Sequence, residues 1–209
     1  LIRDFYVDDV EHESRKITRN ILLFTLLAET AGVALLWARF ASLERSGRVF
    51  AEGAAFTAVF HAVSAFCNAG FSLFSTNLEA YGTEVLVLGV IAALVVCGGL
   101  GFVVVQDLVT RLSGRSRSIS LHSRIVVWMT AALILGGAAA YYVLERRQEL
   151  AGMSTPYALV NAVFQSITTR TAGFDVLPQS ELSNPSLLLT LLLMFTGGAP
   201  GSTAGGVKV

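Results

Sequence analysis

Charge is scarce in this chain. Of 209 residues only 14% are Asp, Glu, Lys or Arg, 15 acidic and 15 basic, so the formal net charge is zero. That balance gives no electrostatic reason to expect a nucleic-acid or polyanion partner. Chemistry-bearing side chains are scarce as well. The three histidines, His12, His61 and His122, are scattered and form no HExxH or comparable ligand cluster. The two cysteines, Cys67 and Cys97, lack the paired spacing of a zinc site, and no disulfide framework is readable from them. Both lie in apolar segments and read as small buried hydrophobes. No Ser/His, metal or carboxylate pair sits at a spacing usable for catalysis, so an enzyme is the least expected class. No signal-peptide pattern stands at Leu1.

What is abundant is apolar sequence. Hydrophobic residues make up 54% of the chain and mean hydropathy is +0.64, too apolar for an ordinary soluble domain. The few charges cluster between apolar runs. Residues 1–20 are polar and mixed in charge and read as a solvated connector leading into a helix. Residues 21–40 are about twenty mostly apolar positions, enough to cross a hydrocarbon core of roughly 30 Å. Glu29 interrupts them and is expected to face protein or water, with a hydrogen bond to a neighbouring helix preferred over contact with a permeating ion. Residues 54–67 form a segment of about fourteen, short for a span and suited to a re-entrant helix. Residues 84–110 are the next long run, with Gly98 and Gly99 adjacent near its middle as a candidate bend. A link at 111–124 carries Arg111, Arg115, Arg117 and Arg124 and no acid. Residues 125–144 span again, 156–169 are short again with Pro156 placed for a helix start, and 185–196 begin another helix. The order span, short segment, span therefore occurs twice, giving an all-α membrane protein of repeated helix–re-entrant helix–helix units. The units divide as a connector at 1–20, a first unit at 21–110, the basic link at 111–124 and a second unit at 125–209.

The short segments are copies of one another. Val-Phe-His-Ala-Val-Ser-Ala-Phe-Cys-Asn-Ala-Gly-Phe-Ser (59–72) matches Val-Phe-Gln-Ser-Ile-Thr-Thr-Arg-Thr-Ala-Gly-Phe-Asp (163–175). Each opens on Ala-Val-Phe (58–60 and 162–164) and closes through Ala-Gly-Phe (69–71 and 172–174). Non-helical backbone within a bilayer is tolerated only where protein buries it or water bathes it. A half-helix that ends in Asn-Ala-Gly-Phe or Thr-Ala-Gly-Phe leaves carbonyls free to replace a cation's hydration shell. Gly70 and Gly173 supply the backbone freedom this needs. The returns beside them lack Lys and Arg and carry Glu79, Asp175 and Glu181, a mouth that attracts cations. The purely basic link places 111–124 in the cytoplasm, so both short segments enter and leave on the outer face.

The end of the chain is a third unusual stretch, Gly197-Gly198-Ala199-Pro200-Gly201-Ser202-Thr203-Ala204-Gly205-Gly206 followed by Val207 and Lys208. As a nucleotide P-loop it fails, because Val207 stands where the Walker lysine belongs and no strand precedes it. As a hinge or gate it is sensible: such a run cannot stay helical. Because the chain stops inside this stretch, the expectation is a piece of a longer membrane protein.

At 59–72, 166–174 and 197–209 the sequence resembles the Trk/Ktr/HKT superfamily of potassium-uptake proteins. The resemblance implies a fold of four membrane–pore–membrane units around one pore, of which this chain would hold the second and most of the third. It implies filter positions at Asn68, Ala69, Gly70, Phe71, Thr171, Ala172, Gly173 and Phe174, with K+ held by backbone carbonyls. It implies a gate at Gly197–Gly206, with Lys208 at its exit. The permeant ion is the only cofactor implied, and coupling to Na+ or H+ stays open. Implied partners are membrane lipid, a second copy in a homodimer and a cytoplasmic nucleotide-binding ring; the location is the cell membrane, multi-pass. Arg170, directly before a filter, is expected to hold the loop through carbonyls or a carboxylate. Two alternatives remain beside ion conduction: a secondary transporter that binds a small solute with broken helices, and a membrane assembly protein without transport.

Overall fold

The computed structural model describes the backbone of residues 2–114 and 118–208, and the side chains of residue 15 and of residues 17 onward within those ranges. Arg115 and Arg117 of the basic link, and Val209, lie outside the described residues. Among the described residues six α-helices follow one another: α1 (Ile2–Arg45), α2 (Gly53–Phe66), α3 (Val85–Leu112), α4 (Leu121–Glu145), α5 (Thr155–Thr168) and α6 (Asn184–Phe195). Among the described residues the only extended pairing is a single parallel bridge between Thr196 and Val207.

Among the described residues three stretches are long and apolar enough to cross a membrane: Ile17–Arg45, Val85–Leu112 and Leu121–Glu145. The two copied segments are α2 and α5, each of 14 residues. At 1.5 Å per residue each is about 21 Å long, too short for a hydrocarbon core of roughly 30 Å. Pro156 and Pro185 occupy the first turns of α5 and α6, where a missing N–H costs nothing. Ser183 caps α6 by accepting from the Ser186 N–H.

The expected connector at 1–20 is not separate from the first span; α1 runs through it without a break. Its mixed charge suits a solvated connector, and because no glycine or proline occurs before Gly32 nothing stops the helix there. A second correction concerns α3. The bend falls at Gly101 (φ 76°, ψ 158°) rather than at the Gly98–Gly99 pair. A third is Cys67, which is exposed at the C-terminal end of α2 instead of buried, while Cys97 is half-buried; both are free thiols. At Cys67 the chain turns from the helix into the loop, away from the core.

Each short helix is held by the spans around it. α2 packs on α1 and α3, α5 packs on α4, and α3 also reaches α5, which joins the two units. Ala54, Ala58, Ala62 and Ala65 recur every three or four residues on α2 and are all buried, a small-residue face that lets α2 sit close to Leu36 and Phe40 of α1 and Ile91 of α3. At one end, Phe40, Phe50, Phe74 and Tyr81 form an aromatic cluster, with ring centroids 5.3 Å apart for Phe40–Phe50 and 4.7 Å for Phe74–Tyr81. This cluster anchors the segment that returns from the first copied loop.

Candidate functional site: paired loops and the glycine run

Immediately after α2 and α5 the two loops adopt the same unusual backbone. φ is positive at Asn68 (51°) and Gly70 (72°), and again at Thr171 (71°) and Gly173 (83°), with Ala69 and Ala172 between them on the ordinary side. An L-residue such as Thr171 avoids this region unless its surroundings hold it there. The loops lie against one another. A Cβ on Gly70 would stand 2.5 Å from the Ala172 carbonyl oxygen and 2.8 Å from the Gly173 backbone. Beyond them the Leu78 N–H donates to the Asp175 carbonyl (2.9 Å).

Hydroxyls on the short helices brace both loops from behind. Ser64 Oγ donates to the Phe71 carbonyl (2.8 Å), and Thr168 Oγ1 donates to the Phe174 carbonyl (2.7 Å). By contrast, the carbonyls of Asn68, Ala69, Gly70, Thr171, Ala172 and Gly173 accept no hydrogen bond from the described residues. Of these residues Ala172 is buried, while Ala69 and Gly173 are exposed. A cavity of about 330 Å³ opens beside them, lined by residues including Ala69, Thr171, Ala172 and Gly173. Behind the first loop, His61 is fully buried where the second copy has Gln165, also fully buried. The His61 Nδ1–H donates to the Thr57 carbonyl (2.8 Å), which leaves Nε2 to accept from Ser72 Oγ (3.0 Å).

The glycine run docks onto these loops and onto the break in α3. A helix interrupted at Gly101 deprives the carbonyls one turn earlier of their usual donors. Those of Gly99 and Gly98 accept instead from the Ala199 N–H (3.0 Å) and the Thr203 N–H (3.2 Å). Thr203 Oγ1 donates to the Phe66 carbonyl at the end of α2 (2.9 Å) and accepts from Asn68 Nδ2 (2.6 Å). The Gly205 N–H donates to Thr171 Oγ1 (2.9 Å). Gly98 makes this possible, because a Cβ there would overlap the Phe66 carbonyl. The run is closed at its base by Gly197 N–H to Val207 O (2.9 Å) and Val207 N–H to Phe195 O (3.0 Å), and Lys208 Nζ donates to the Ala204 carbonyl.

Arg170 holds a carbonyl, as its place beside the loop suggested, but the carbonyl belongs to the glycine run. Its Nη2 donates to Gly197 O (2.9 Å), with the side chain only 8% exposed. Glu29 is half-buried and has no hydrogen bond among the described residues, contrary to the expected interhelical one; it lies near Cys67. Three features escaped the sequence reading: the Ser64 and Thr168 braces, the Gly101 break, and an acidic group that joins Glu79 and Glu181 with Glu145 and Glu149. Burial, and then the charges of Glu181, Glu145 and Glu79, push the Glu149 carboxyl above the usual carboxylate range. Glu145 is itself fully buried and accepts from the Ser183 N–H (3.0 Å) and Ser183 Oγ (2.6 Å), tying the end of α4 to the start of α6.

The family model described as TrkH, a cation transport protein, matches residues 3–209. The chain belongs to the TrkH family. Among curated relatives it is 38% identical over 194 residues to the potassium/sodium uptake protein NtpJ of Enterococcus hirae, covering 92% of this chain and 42% of that protein. It is 33% identical over 197 residues to the Ktr system potassium uptake protein B of Vibrio alginolyticus, covering 93% of this chain and 42% of that one. This TrkH-family chain thus spans about two fifths of the length of the relatives it matches. Its fold is similar to the crystal structure of the potassium transporter TrkH from Vibrio parahaemolyticus, with a TM-score of 0.70 at 19% identity over 93% of this chain and 38% of that one. These relatives are named as transport proteins, not enzymes, and the TrkH-family chain is an all-helical, multi-pass membrane protein.

Proposed function

We propose that the chain supplies two of the filter segments, and the gate, of a protein that carries potassium across the membrane. The observation that carries this reading is the paired backbone pattern at 68–70 and 171–173. Alternating the sign of φ turns successive peptide planes so that N–H groups gather on one side and carbonyls on the other. Unpaired carbonyls on one side can take the place of water around a cation such as K+. The ligands are the carbonyls of Asn68, Ala69, Gly70, Thr171, Ala172 and Gly173. Phe71 and Phe174 close the segments, their carbonyls bound to Ser64 and Thr168.

The gate is Gly197–Gly206. Its contacts with Asn68, Thr171 and Phe66 support a position directly against the filter, where a shift of the loop alters the ion path. Potassium as cargo rests on the names of the relatives, with sodium also in the name of NtpJ. A homodimer and a cytoplasmic regulatory ring docking on the side of residues 111–124 complete the proposal, the latter supported by relatives named as parts of a Ktr system.

The test is potassium uptake by the full-length protein with Gly173 replaced by Val. A β-branched residue at φ 83° is strained, and its Cβ would stand 3.4 Å from Gly70 Cα. Loss of uptake, or of potassium-over-sodium preference, is expected in protein that still inserts and purifies normally. Unchanged uptake and preference sink the filter assignment. A deletion within 198–204 is expected to raise flux, and unaltered flux counts against the gate.

A further inference from the structure

A second cavity lies far from the filter loops, where α3 ends and α4 begins. Its volume is about 430 Å³, and Arg111, Arg124 and Ser118 line it together with Leu108, Val127 and Trp128. No acid is among its described lining. One turn earlier on α3, Asp107 joins the two helices: its Oδ2 accepts from Ser120 Oγ (2.5 Å) and Ser123 Oγ (2.6 Å). Ser120 in turn caps α4 by accepting from the Ser123 N–H (3.2 Å), so the start of α4 is tied to α3 at Asp107. Ser123 is fully buried at that junction.

The cavity has two kinds of wall. One carries guanidinium groups, whose planar donors fit phosphate oxygens in pairs. The other is apolar and continues outward over Trp128 (73% exposed) to the exposed Leu121 and Ile125. A free anion has no use for the second wall. A phospholipid needs both, and basic pockets between membrane spans suit acidic headgroups. Trp at this depth, about 10 Å along α4 from its first residue, is at home in the interfacial layer.

We propose that this cleft binds an anionic phospholipid, with the headgroup phosphate between Arg111 and Arg124 and an acyl chain along Leu108, Val127 and Trp128. The site stands apart from the filter, and its readout does not involve transport. Full-length protein is reconstituted in vesicles of equal phosphatidylcholine and phosphatidylglycerol, re-extracted in mild detergent, and its retained lipid counted by native mass spectrometry. The expected result is retention of phosphatidylglycerol over phosphatidylcholine. R111Q and R124Q should each weaken retention about fivefold and the double variant about 25-fold. W128A should weaken it while leaving both charges, and R146Q, at the other end of α4, should leave it unchanged. Equal retention of the two lipids by the wild type overturns the proposal, as does undiminished retention in the double variant. Displacement by millimolar inorganic phosphate, with no effect of W128A, overturns the lipid assignment in favour of a free-anion site. Loss in R146Q as large as in the double variant also overturns it, since net charge alone then explains binding.

Discussion

Gly98→Ala asks whether α3, the end of α2 and the glycine run meet as described. The added methyl would overlap the Phe66 carbonyl oxygen and stand 2.7 Å from Thr203 Oγ1 and 3.0 Å from Asn68 Nδ2. The Phe66 carbonyl is backbone, so the end of α2 must shift, and overpacking of this kind costs about 1–3 kcal/mol. The shift also disturbs the bonds that Thr203 makes to Phe66 and Asn68, about 1 kcal/mol each. A docked loop weakened by roughly 2–3 kcal/mol moves a docked–undocked equilibrium about 30- to 150-fold. Rubidium uptake into proteoliposomes holding the full-length variant should therefore show a raised basal flux, and the variant should melt earlier. Gly99→Ala is the built-in control, because the nearest atom to a Cβ there is Ala204 Cβ at 3.9 Å, ordinary contact. If Gly98→Ala matches the wild type in both flux and melting, or if Gly99→Ala behaves the same way as Gly98→Ala, the docking geometry is wrong.

Three further outcomes follow from the same contacts. Ser64→Ala and Thr168→Val release the Phe71 and Phe174 carbonyls, and each should lower the potassium-over-sodium ratio in competitive uptake with little change in expression; an unchanged ratio in both refutes the bracing role. Arg170→Met leaves the Gly197 carbonyl without its donor at a cost of about 1–3 kcal/mol, and Arg170→Lys should recover part of that stability in thermal melts. Equal melting of Met and Lys variants shows that the hydrogen bond is not what matters. At Glu149 the folded protein holds its proton more tightly than the unfolded chain, so stability should fall as pH rises from the usual carboxylate range through the raised value. Glu149→Gln should remove that slope and melt higher at neutral pH, and a slope that persists in the variant assigns it to another group.

Much of the architecture is legible in the residues. Two 14-residue helices stand at the copied segments, which are too short to span and each follow a longer apolar run, and Pro156 and Pro185 mark the starts of α5 and α6. What could not be read has a common cause: it depends on contacts between residues far apart in the chain. Nothing local distinguishes Gly101 from the other glycines of α3 as the one with positive φ, nor Gly98 as the one that Phe66 and Thr203 approach. Ser64 and Thr168 look like ordinary small polar residues of a membrane helix until the loop returns over them. Glu79 joins Glu145, Glu149 and Glu181 only when the two units pack together. The helix through residues 2–20 follows from a purely local feature, the absence of any breaker before Gly32.

The most direct test of the filter itself is to locate the cation. Crystals of the full-length protein grown with thallium in place of potassium should show anomalous density on the pore axis. It should lie within about 3 Å of the carbonyls of residues 68–70 and 171–173, and it should be lost on exchange into excess potassium. Thallium bound elsewhere, with those carbonyls facing only water or protein, would contradict the account.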